Sequence, residues 1–253
     1  MTPAASTTAW PYPFWIAHRG AGQLAPENTQ VAFEYGAHLG FAMFECDVQL
    51  SADGVPFLLH DLHLTRTTNG DGLAAGKPWS YLSGLDAGRW HGPAHAGQRL
   101  LRLDALSQWI IASGHALNIE IKPAPNQAQT CGAQVARAAQ TLWVHSDIKP
   151  VLSSFSVDAL QAAGHAAPDL PRALLMDAAS PPPLTQAIEL GCAAVVMHRS
   201  LCSARLIDQA HQAGLRAWAY TVNDPGQALQ LTQWGIDGLI TDEVTRFSAA
   251  KRA

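Results

Sequence analysis

The sequence lacks the features that mark membrane-spanning and nucleic-acid-binding proteins. No segment approaches the run of roughly 20 apolar residues that crosses a bilayer. Only 14% of the 253 residues are charged, the net charge is −4, and no basic run interleaved with aromatic residues occurs. Proteins that bind nucleic acids carry the opposite pattern, a basic patch or stripe. We therefore expect no membrane insertion and no nucleic acid partner.

Cysteine is also scarce and shows no pattern of a disulfide framework. The four cysteines are Cys46, Cys131, Cys192 and Cys202, and no two of them have a close paired spacing. Residues 1–13 contain neither the basic start nor the apolar run of an export signal. The sequence therefore predicts reduced thiols, a cytoplasmic location and a flexible N-terminal arm over residues 1–13.

Hydrophobic residues are plentiful, at 48% of the chain, and short β-rich runs alternate regularly with helical runs. Strands are predicted near residues 14–18, 42–48, 116–121, 150–154, 172–176, 193–197, 215–220 and 237–240. Helices are predicted at residues 28–39, 102–113, 126–143, 157–166, 183–190, 203–213 and 225–234. This alternation indicates an α/β fold, a single TIM (β/α)8 barrel over residues 14–253. The alternative is an open doubly wound sheet, but no glycine-rich phosphate motif follows the first strand.

Two segments interrupt the alternation. The Asp53-Gly54 pair lies between two β-like runs and is a strong signal of a hairpin. A turn centred on that pair would place Asp47 opposite His60 and return the chain to the upper rim of the barrel at His60. The second segment, residues 62–101, is rich in glycine and threonine and too long for an ordinary βα loop. We predict that it forms a small lid or side subdomain.

Three carboxylates are predicted at the C-terminal ends of neighbouring strands, where barrel enzymes carry their reacting groups. Glu45 and Asp47 lie two residues apart on the second strand, so both side chains point into the barrel. Glu120 ends the third barrel strand. Buried carboxylates need a cation. Salt bridges to arginine and lysine are one explanation; we favour a divalent ion such as Mg²⁺ or Ca²⁺, which carboxylate oxygens suit.

Histidines and basic side chains lie at the same strand ends. His18 and Arg19 end the first strand, and His60 ends the predicted hairpin. Lys122 lies two residues after Glu120 and shares its face of the strand. Because an imidazole titrates close to neutral pH, His18 and His60 suit general acid–base catalysis. Arg19 and Lys122 offer positive charge to a phosphate group.

Three further residues each have two interpretations from the sequence alone. Glu27 either pairs with Arg19, behind the reacting groups, or favours the dipole of the first helix. Asp61 either orients a neighbouring side chain or caps the following turn. Tyr220, on the seventh predicted strand, either lines a substrate pocket or fills the barrel.

In combination and in order, these motifs resemble the glycerophosphodiester phosphodiesterase family, most of all its short bacterial cytoplasmic members. The matching motifs are His18-Arg19-Gly20, Pro26-Glu27-Asn28-Thr29, Glu45-Cys46-Asp47-Val48, His60-Asp61, Arg66-Thr67-Thr68-Asn69-Gly70, Glu120-Ile121-Lys122-Pro123, Ser153-Ser154-Phe155, Tyr220-Thr221-Val222-Asn223 and Gly238-Leu239-Ile240-Thr241-Asp242. One departure is Tyr220, where many members carry tryptophan.

The resemblance implies metal-dependent hydrolysis of small glycerophosphodiesters, such as glycerophosphocholine or glycerophosphoethanolamine, to sn-glycerol 3-phosphate and an alcohol through a cyclic phosphate. It implies a distorted (β/α)8 barrel and one divalent cation, Mg²⁺ or Ca²⁺ with Mn²⁺ as an alternative. We expect a monomer or homodimer. The implied roles are metal ligation by Glu45, Asp47 and Glu120, acid–base catalysis by His18 and His60, substrate contact by Arg19, Lys122 and Tyr220, and support by Glu27 and Asp61.

Two other functions fit the same pattern. A lysophospholipase D or another phospholipase-type phosphodiesterase would use much the same histidines and carboxylates. Such an enzyme should carry an apolar rim or a membrane-facing helix, and the sequence shows no clear one. A non-catalytic phosphodiester-binding barrel is the other alternative, and the intact histidine pair and carboxylates argue against it.

Overall fold

The computed structural model describes residues 10–247, which form a closed barrel of parallel strands surrounded by helices. The strands are β1 (Trp15–Ala17), β2 (Met43–Leu50), β3 (Pro56–Leu58), β4 (Ala116–Ile121), β5 (Val151–Ser154), β6 (Arg172–Met176), β7 (Ala194–His198), β8 (Arg216–Tyr220) and β9 (Gly238–Thr241). The α-helices are α1 (Gln30–His38), α2 (Trp79–Leu82), α3 (Leu103–Ala112), α4 (Ala128–Leu142), α5 (Val157–Ala166), α6 (Leu184–Glu189), α7 (Ala204–Gln212) and α8 (Pro225–Gln233).

Parallel pairing runs around the whole barrel, from β2 through β4 to β9 and back to β1. The contact that closes it is the parallel pairing of Ala17 on β1 with Phe44 on β2. The predicted TIM barrel is therefore confirmed, and an open doubly wound sheet is excluded. All the predicted barrel strands are present. No helix within residues 10–247 combines the length and the apolar character needed to cross a bilayer.

The hairpin after β2 is present, but its register differs from the predicted one by a single residue. β3 pairs antiparallel with β2, and Val48 lies opposite Leu58. The amide of Leu59, not that of His60, donates a hydrogen bond to the Asp47 carbonyl, at 3.1 Å. A two-residue type I′ loop needs a positive φ at both Asp53 and Gly54, but only Gly54 has one, at +80°, and the loop has three residues, 52–54. The predicted two-residue loop was wrong.

Alternation along the strands divides the core in two. Inward side chains of the lower barrel, among them Ile16, Met43 and Trp218, form one buried cluster. Phe44 and Cys46 point outward and are buried against the surrounding helices. Because Glu45 and Asp47 alternate with these outward residues, their carboxylates must enter the upper barrel.

The N-terminal end of the barrel is closed by the segment before β1. The Tyr12 side chain is buried and its hydroxyl donates to the Lys149 carbonyl, at 2.9 Å. The ring centroid of Trp10 lies 5.7 Å from that of Trp218. Residues 10–13 thus differ from the predicted loose arm, because Trp218 offers them an apolar surface.

The rest of that predicted arm, residues 1–9, lies outside the described residues.

The Tyr12 contact gives a prediction about stability. Replacing Tyr12 with alanine should lower the free energy of unfolding by roughly 3 kcal/mol, since it opens a cavity under Trp218 and leaves the Lys149 carbonyl unpaired. Urea denaturation checks this, with Leu229→Ala as control, because Leu229 is 60% exposed on α8. Equal urea midpoints for the two variants would show that the segment does not close the barrel.

The insertion over residues 62–101 contains α2 and two short 3-10 turns, Ala74–Gly76 and Pro93–His95. Together with the hairpin it forms a small separate apolar core. This core consists of Phe57, Leu59, Leu64, Ala74, Leu82, Leu85, Ala87 and Leu100. The insertion therefore packs as a side subdomain next to β3, which ends two residues before His60.

Candidate active site

Three inward-facing carboxylates meet at the C-terminal end of the barrel. Asp47 and Glu120 are direct neighbours across the β2–β4 pairing. Oxygen atoms of Glu45, Asp47 and Glu120 all lie within 4.8 Å of one another. The predicted convergence of these residues from two separate strands is thus present in the structure.

Two basic side chains offset part of this negative charge. Arg19 Nε lies 3.2 Å from Asp47 Oδ2, and Lys122 Nζ lies 3.1 Å from Glu120 Oε1 and 3.6 Å from Asp47 Oδ1. These cations outweigh the effect of burial on Asp47 and hold its pKa below the usual range. The salt-bridge interpretation therefore holds for Asp47.

The negative charges of Glu45 and Glu120 are not fully offset by the nearby basic side chains. Burial raises the pKa of both carboxyls, and the negative charge of Asp47 raises it further. In the described part of the chain, Glu45 Oε1 and Asp47 Oδ1 are buried and accept no hydrogen bond. Free buried oxygens and surplus negative charge are what a divalent cation would satisfy. The donor set therefore fits a metal ion.

His18 is held at the edge of the carboxylate cluster. Its Nδ1 lies 2.6 Å from Asp242 Oδ1, and its Nε2 lies 3.8 Å from Glu45 Oε2. The Asn223 side chain donates to Asp242 Oδ2, at 3.0 Å, and accepts from the Asp242 amide. The ionised Asp242 accepts a hydrogen bond from Nδ1–H, which leaves Nε2 directed toward the carboxylates.

His60 has a matching partner in Asp61. The distance between His60 Nδ1 and Asp61 Oδ1 is 2.6 Å, and Asp61 also pairs with Arg66. Burial lowers the pKa of His60, against the opposing charge of Asp47. Asp61 therefore orients the neighbouring imidazole, one of the two alternatives in the sequence.

The start of the first helix supports the cluster from behind. Glu27 Oε1 lies 3.0 Å from the Arg19 guanidinium, so Glu27 pairs with Arg19 as one interpretation predicted. The Asn28 side chain donates to Asp47 Oδ2 at 2.8 Å and accepts from the Asp47 amide. The cap position belongs to Thr29.

A cavity of about 600 Å³ opens beside these groups. Its lining includes His60, Asp61, His63, Glu120, Lys122 and Phe155. Tyr220 packs against Phe155 with ring centroids 5.9 Å apart, and its hydroxyl lies 3.3 Å from the Met176 carbonyl. Tyr220 thus supports the aromatic side of the cavity.

Comparison with known proteins shows what this arrangement belongs to. The sequence profile of the Glycerophosphoryl diester phosphodiesterase family matches residues 18–246, a span that includes both histidines and all three carboxylates. The chain belongs to this family. The predicted resemblance is confirmed.

Individual relatives agree with this membership. YhdW of Bacillus subtilis is 33% identical over 233 residues, covering 90% of this chain and 93% of its own length. The glycerophosphodiester phosphodiesterase of Caldanaerobacter subterraneus is 28% identical over 228 residues, with coverage of 90% and 93%. The solved phosphodiesterase OLEI02445 of Oleispira antarctica is 31% identical, with a TM-score of 0.85 over 93% of this chain and 95% of that one. That structure holds the product sn-glycerol 3-phosphate.

Membership in the glycerophosphoryl diester phosphodiesterase family makes the chain an enzyme, a hydrolase of phosphoric diesters, as the sequence predicted. The comparisons therefore support an enzyme and not a non-catalytic barrel. The family fold also agrees with the closed barrel described above.

Sequence reasoning gave no role to several residues that this family member uses to hold the site. Asp242 stands within a family motif, but its contact with His18 spans 224 positions of the chain. Arg66 also stands within a family motif, and its guanidinium lies between Glu27 and Asp61. The sequence signal that could have identified Asp242 is a charged residue directly after a strand, which is also the position of His18.

The position of Asp242 depends on Gly22. Gly22 has a φ of +57°, and a Cβ added there would overlap the backbone of Asp242. We expect Gly22→Ala to destabilise the fold by more than about 1 kcal/mol and to lower activity, because Asp242 must move away from His18. Gly76→Ala is the control, since a Cβ at Gly76 meets nothing within 4 Å. A Gly22→Ala enzyme with wild-type melting temperature and kcat would contradict this.

Proposed function

We propose that this enzyme hydrolyses small glycerophosphodiesters, such as glycerophosphocholine and glycerophosphoethanolamine, to sn-glycerol 3-phosphate and an alcohol. The observation that carries the proposal is the meeting of Glu45, Asp47 and Glu120 within 4.8 Å, with His18 beside them. The product found in the Oleispira antarctica relative supports the choice of substrate class.

The three carboxylates are proposed to hold one divalent cation, Mg²⁺ or Ca²⁺, with Mn²⁺ as an alternative. When bound, such an ion supplies positive charge that stabilises phosphoryl oxygens and lowers the pKa of a nearby hydroxyl. The residues fit this role because Glu45 Oε1 and Asp47 Oδ1 are buried without a hydrogen bond from any described residue.

His18 and His60 are proposed to move the protons. One imidazole removes the proton of the glycerol 2-hydroxyl, and that oxygen then attacks phosphorus. The other protonates the departing alcohol, which leaves a cyclic phosphate that water opens with the two roles reversed. Both rings turn Nδ1 to an aspartate, at 2.6 Å in each case, so Nε2 is the nitrogen available for transfer.

Arg19 and Lys122 are proposed to stabilise the negative charge that develops on the phosphoryl oxygens. Both lie beside Asp47, and Lys122 also lines the cavity. Tyr220 is proposed to bound the substrate on the aromatic side, together with Phe155. The lid role of residues 62–101, the cytoplasmic location and the monomeric or homodimeric state stay predictions.

A release assay for sn-glycerol 3-phosphate tests this function. Glycerophosphocholine, glycerophosphoethanolamine and lysophosphatidylcholine would be compared, each with Mg²⁺, Ca²⁺ or Mn²⁺ added after chelation. We expect release from the two glycerophosphodiesters and a requirement for an added ion. Preferential formation of lysophosphatidic acid from lysophosphatidylcholine would instead identify a lysophospholipase D, and no turnover of any diester would overturn the proposal.

A further inference from the structure

Two ion pairs at the rim of the cavity converge on a single guanidinium. Arg66 Nε and Nη2 donate to the two oxygens of Asp61, at 2.6 and 2.9 Å. Arg66 Nη1 and Nη2 donate to the two oxygens of Glu27, at 2.8 and 2.7 Å. One side chain therefore makes two bidentate contacts, which is the strongest geometry that arginine and carboxylates form.

Each of these carboxylates also holds a residue of the site. Asp61 accepts from the His60 ring at 2.6 Å, and Glu27 accepts from Arg19 at 3.0 Å. The contact with Asp61 is the one hydrogen bond that the His60 ring makes in the described part of the chain. Arg66 thus supports His60 through one partner and Arg19 through the other.

The donors of Arg66 are nearly used up by these contacts. A guanidinium has five N–H groups, and four of them point to Asp61 and Glu27. Little capacity remains for a substrate phosphate. The same hydrogen bonds help to keep the pKa of Asp61 below its usual range, so Asp61 stays ionised and accepts a hydrogen bond from the His60 ring.

We propose that Arg66 is a positioning residue that aligns His60 for proton transfer by holding Asp61, and that it links the insertion to the reacting groups. This inference rests on the proposed role of His60. Arg19 keeps a second contact, to Asp47 at 3.2 Å, whereas the His60 ring makes no other hydrogen bond among the described residues. Loss of Arg66 should therefore act chiefly on kcat and only weakly on KM.

A purely structural anchor would behave differently. The Arg66 side chain is 42% exposed, so solvent screens its ion pairs, and Glu27 and Asp61 keep Arg19 and His60 as partners when Arg66 is removed. We expect Arg66→Ala to lower kcat by roughly 10- to 100-fold, because a misplaced catalytic group of this kind costs about that factor. Its melting temperature should stay within roughly 3 °C of the wild type.

The experiment measures kcat, KM and melting temperature for Arg66→Ala, Arg66→Lys, Asp61→Asn and the Asp61→Asn/Arg66→Ala double variant. Arg89→Ala is the matched control, because Arg89 lies in the same insertion, is 76% exposed and approaches Asp86 only at 3.8 Å. Guanidinium at non-denaturing concentration is added to each variant as a chemical replacement for the missing group.

Four results would support the inference. Arg66→Lys should fall between wild type and Arg66→Ala, since an ammonium cannot make both bidentate contacts. Guanidinium should restore part of the kcat of Arg66→Ala. The kcat of the double variant should be little lower than that of Asp61→Asn alone, because both changes remove the same support of His60. Arg89→Ala should match the wild type.

The inference is overturned if Arg66→Ala keeps wild-type kcat. It is also overturned if the fall in kcat of Arg66→Ala accompanies a fall in melting temperature, adds to the fall in kcat caused by Asp61→Asn and is not reversed by guanidinium. His60→Ala, assayed in parallel, separates this failure from a failure of the proposed function. An inactive His60→Ala beside a fully active Arg66→Ala removes only Arg66, whereas a fully active His60→Ala removes the proposed role of His60.

Discussion

Removal of divalent ions should lower the rate of sn-glycerol 3-phosphate release by roughly 10³-fold or more, because a metal ion of this kind contributes several kcal/mol to transition-state stabilisation. The physical reason is the surplus of negative charge: Glu45, Asp47 and Glu120 converge, while Arg19 and Lys122 are the basic side chains paired with them among the described residues. Rates before chelation, after it and after return of each ion would check this expectation.

A ligand variant separates a bound ion from an indirect effect of the chelator. Glu120→Gln keeps the shape of the side chain but removes one charged ligand, so it should need a higher ion concentration for half-maximal rate. Glu34→Gln is the matched control, since Glu34 lies exposed on α1 and bonds only Gln30 among the contacts described. If chelation leaves the wild-type rate unchanged, or if both variants need the same ion concentration, the carboxylates do not act through a metal.

Replacement of either proposed acid–base residue should have the next largest effect. His18→Ala and His60→Ala should each lower kcat by roughly 10²- to 10⁴-fold, which is the usual contribution of a positioned proton carrier. Both variants should fold, because each ring lies at the rim of the barrel with side-chain exposure of 17% and 32%. Steady-state kinetics and circular dichroism would measure the two properties.

The matched control for these variants is His145→Ala, because His145 is exposed and is not among the residues that line the cavity. It should retain the wild-type kcat. Near-normal turnover by His18→Ala or His60→Ala would remove that histidine from the proposed scheme. A loss of helical signal would instead assign the effect to folding.

The fold was predictable because its signals are local. Each strand is a short apolar run between helical runs, and period-two alternation alone places Glu45 and Asp47 inward and Phe44 and Cys46 outward. Since barrel strands are parallel, the C-terminal ends of β2 and β4 must lie at one rim. The meeting of Asp47 with Glu120 follows from these two facts.

What the sequence could not predict depends on single backbone angles and on distant contacts. The hairpin register differs from the predicted one by one residue because Asp53 does not adopt the positive φ that a two-residue type I′ loop requires. Packing of Tyr12 beneath the barrel depends on the position of Trp218, which no local pattern specifies. The Asp242–His18 contact joins the last strand to the first, and only barrel closure brings them together.

The most direct test of the central claim is a crystal of this enzyme equilibrated with Mn²⁺ and measured at the manganese absorption edge. We expect one anomalous peak within coordination distance, about 2.0–2.3 Å, of oxygens from Glu45, Asp47 and Glu120. A fully occupied peak elsewhere, or no peak at these carboxylates in a crystal that turns over glycerophosphodiesters, would contradict the account.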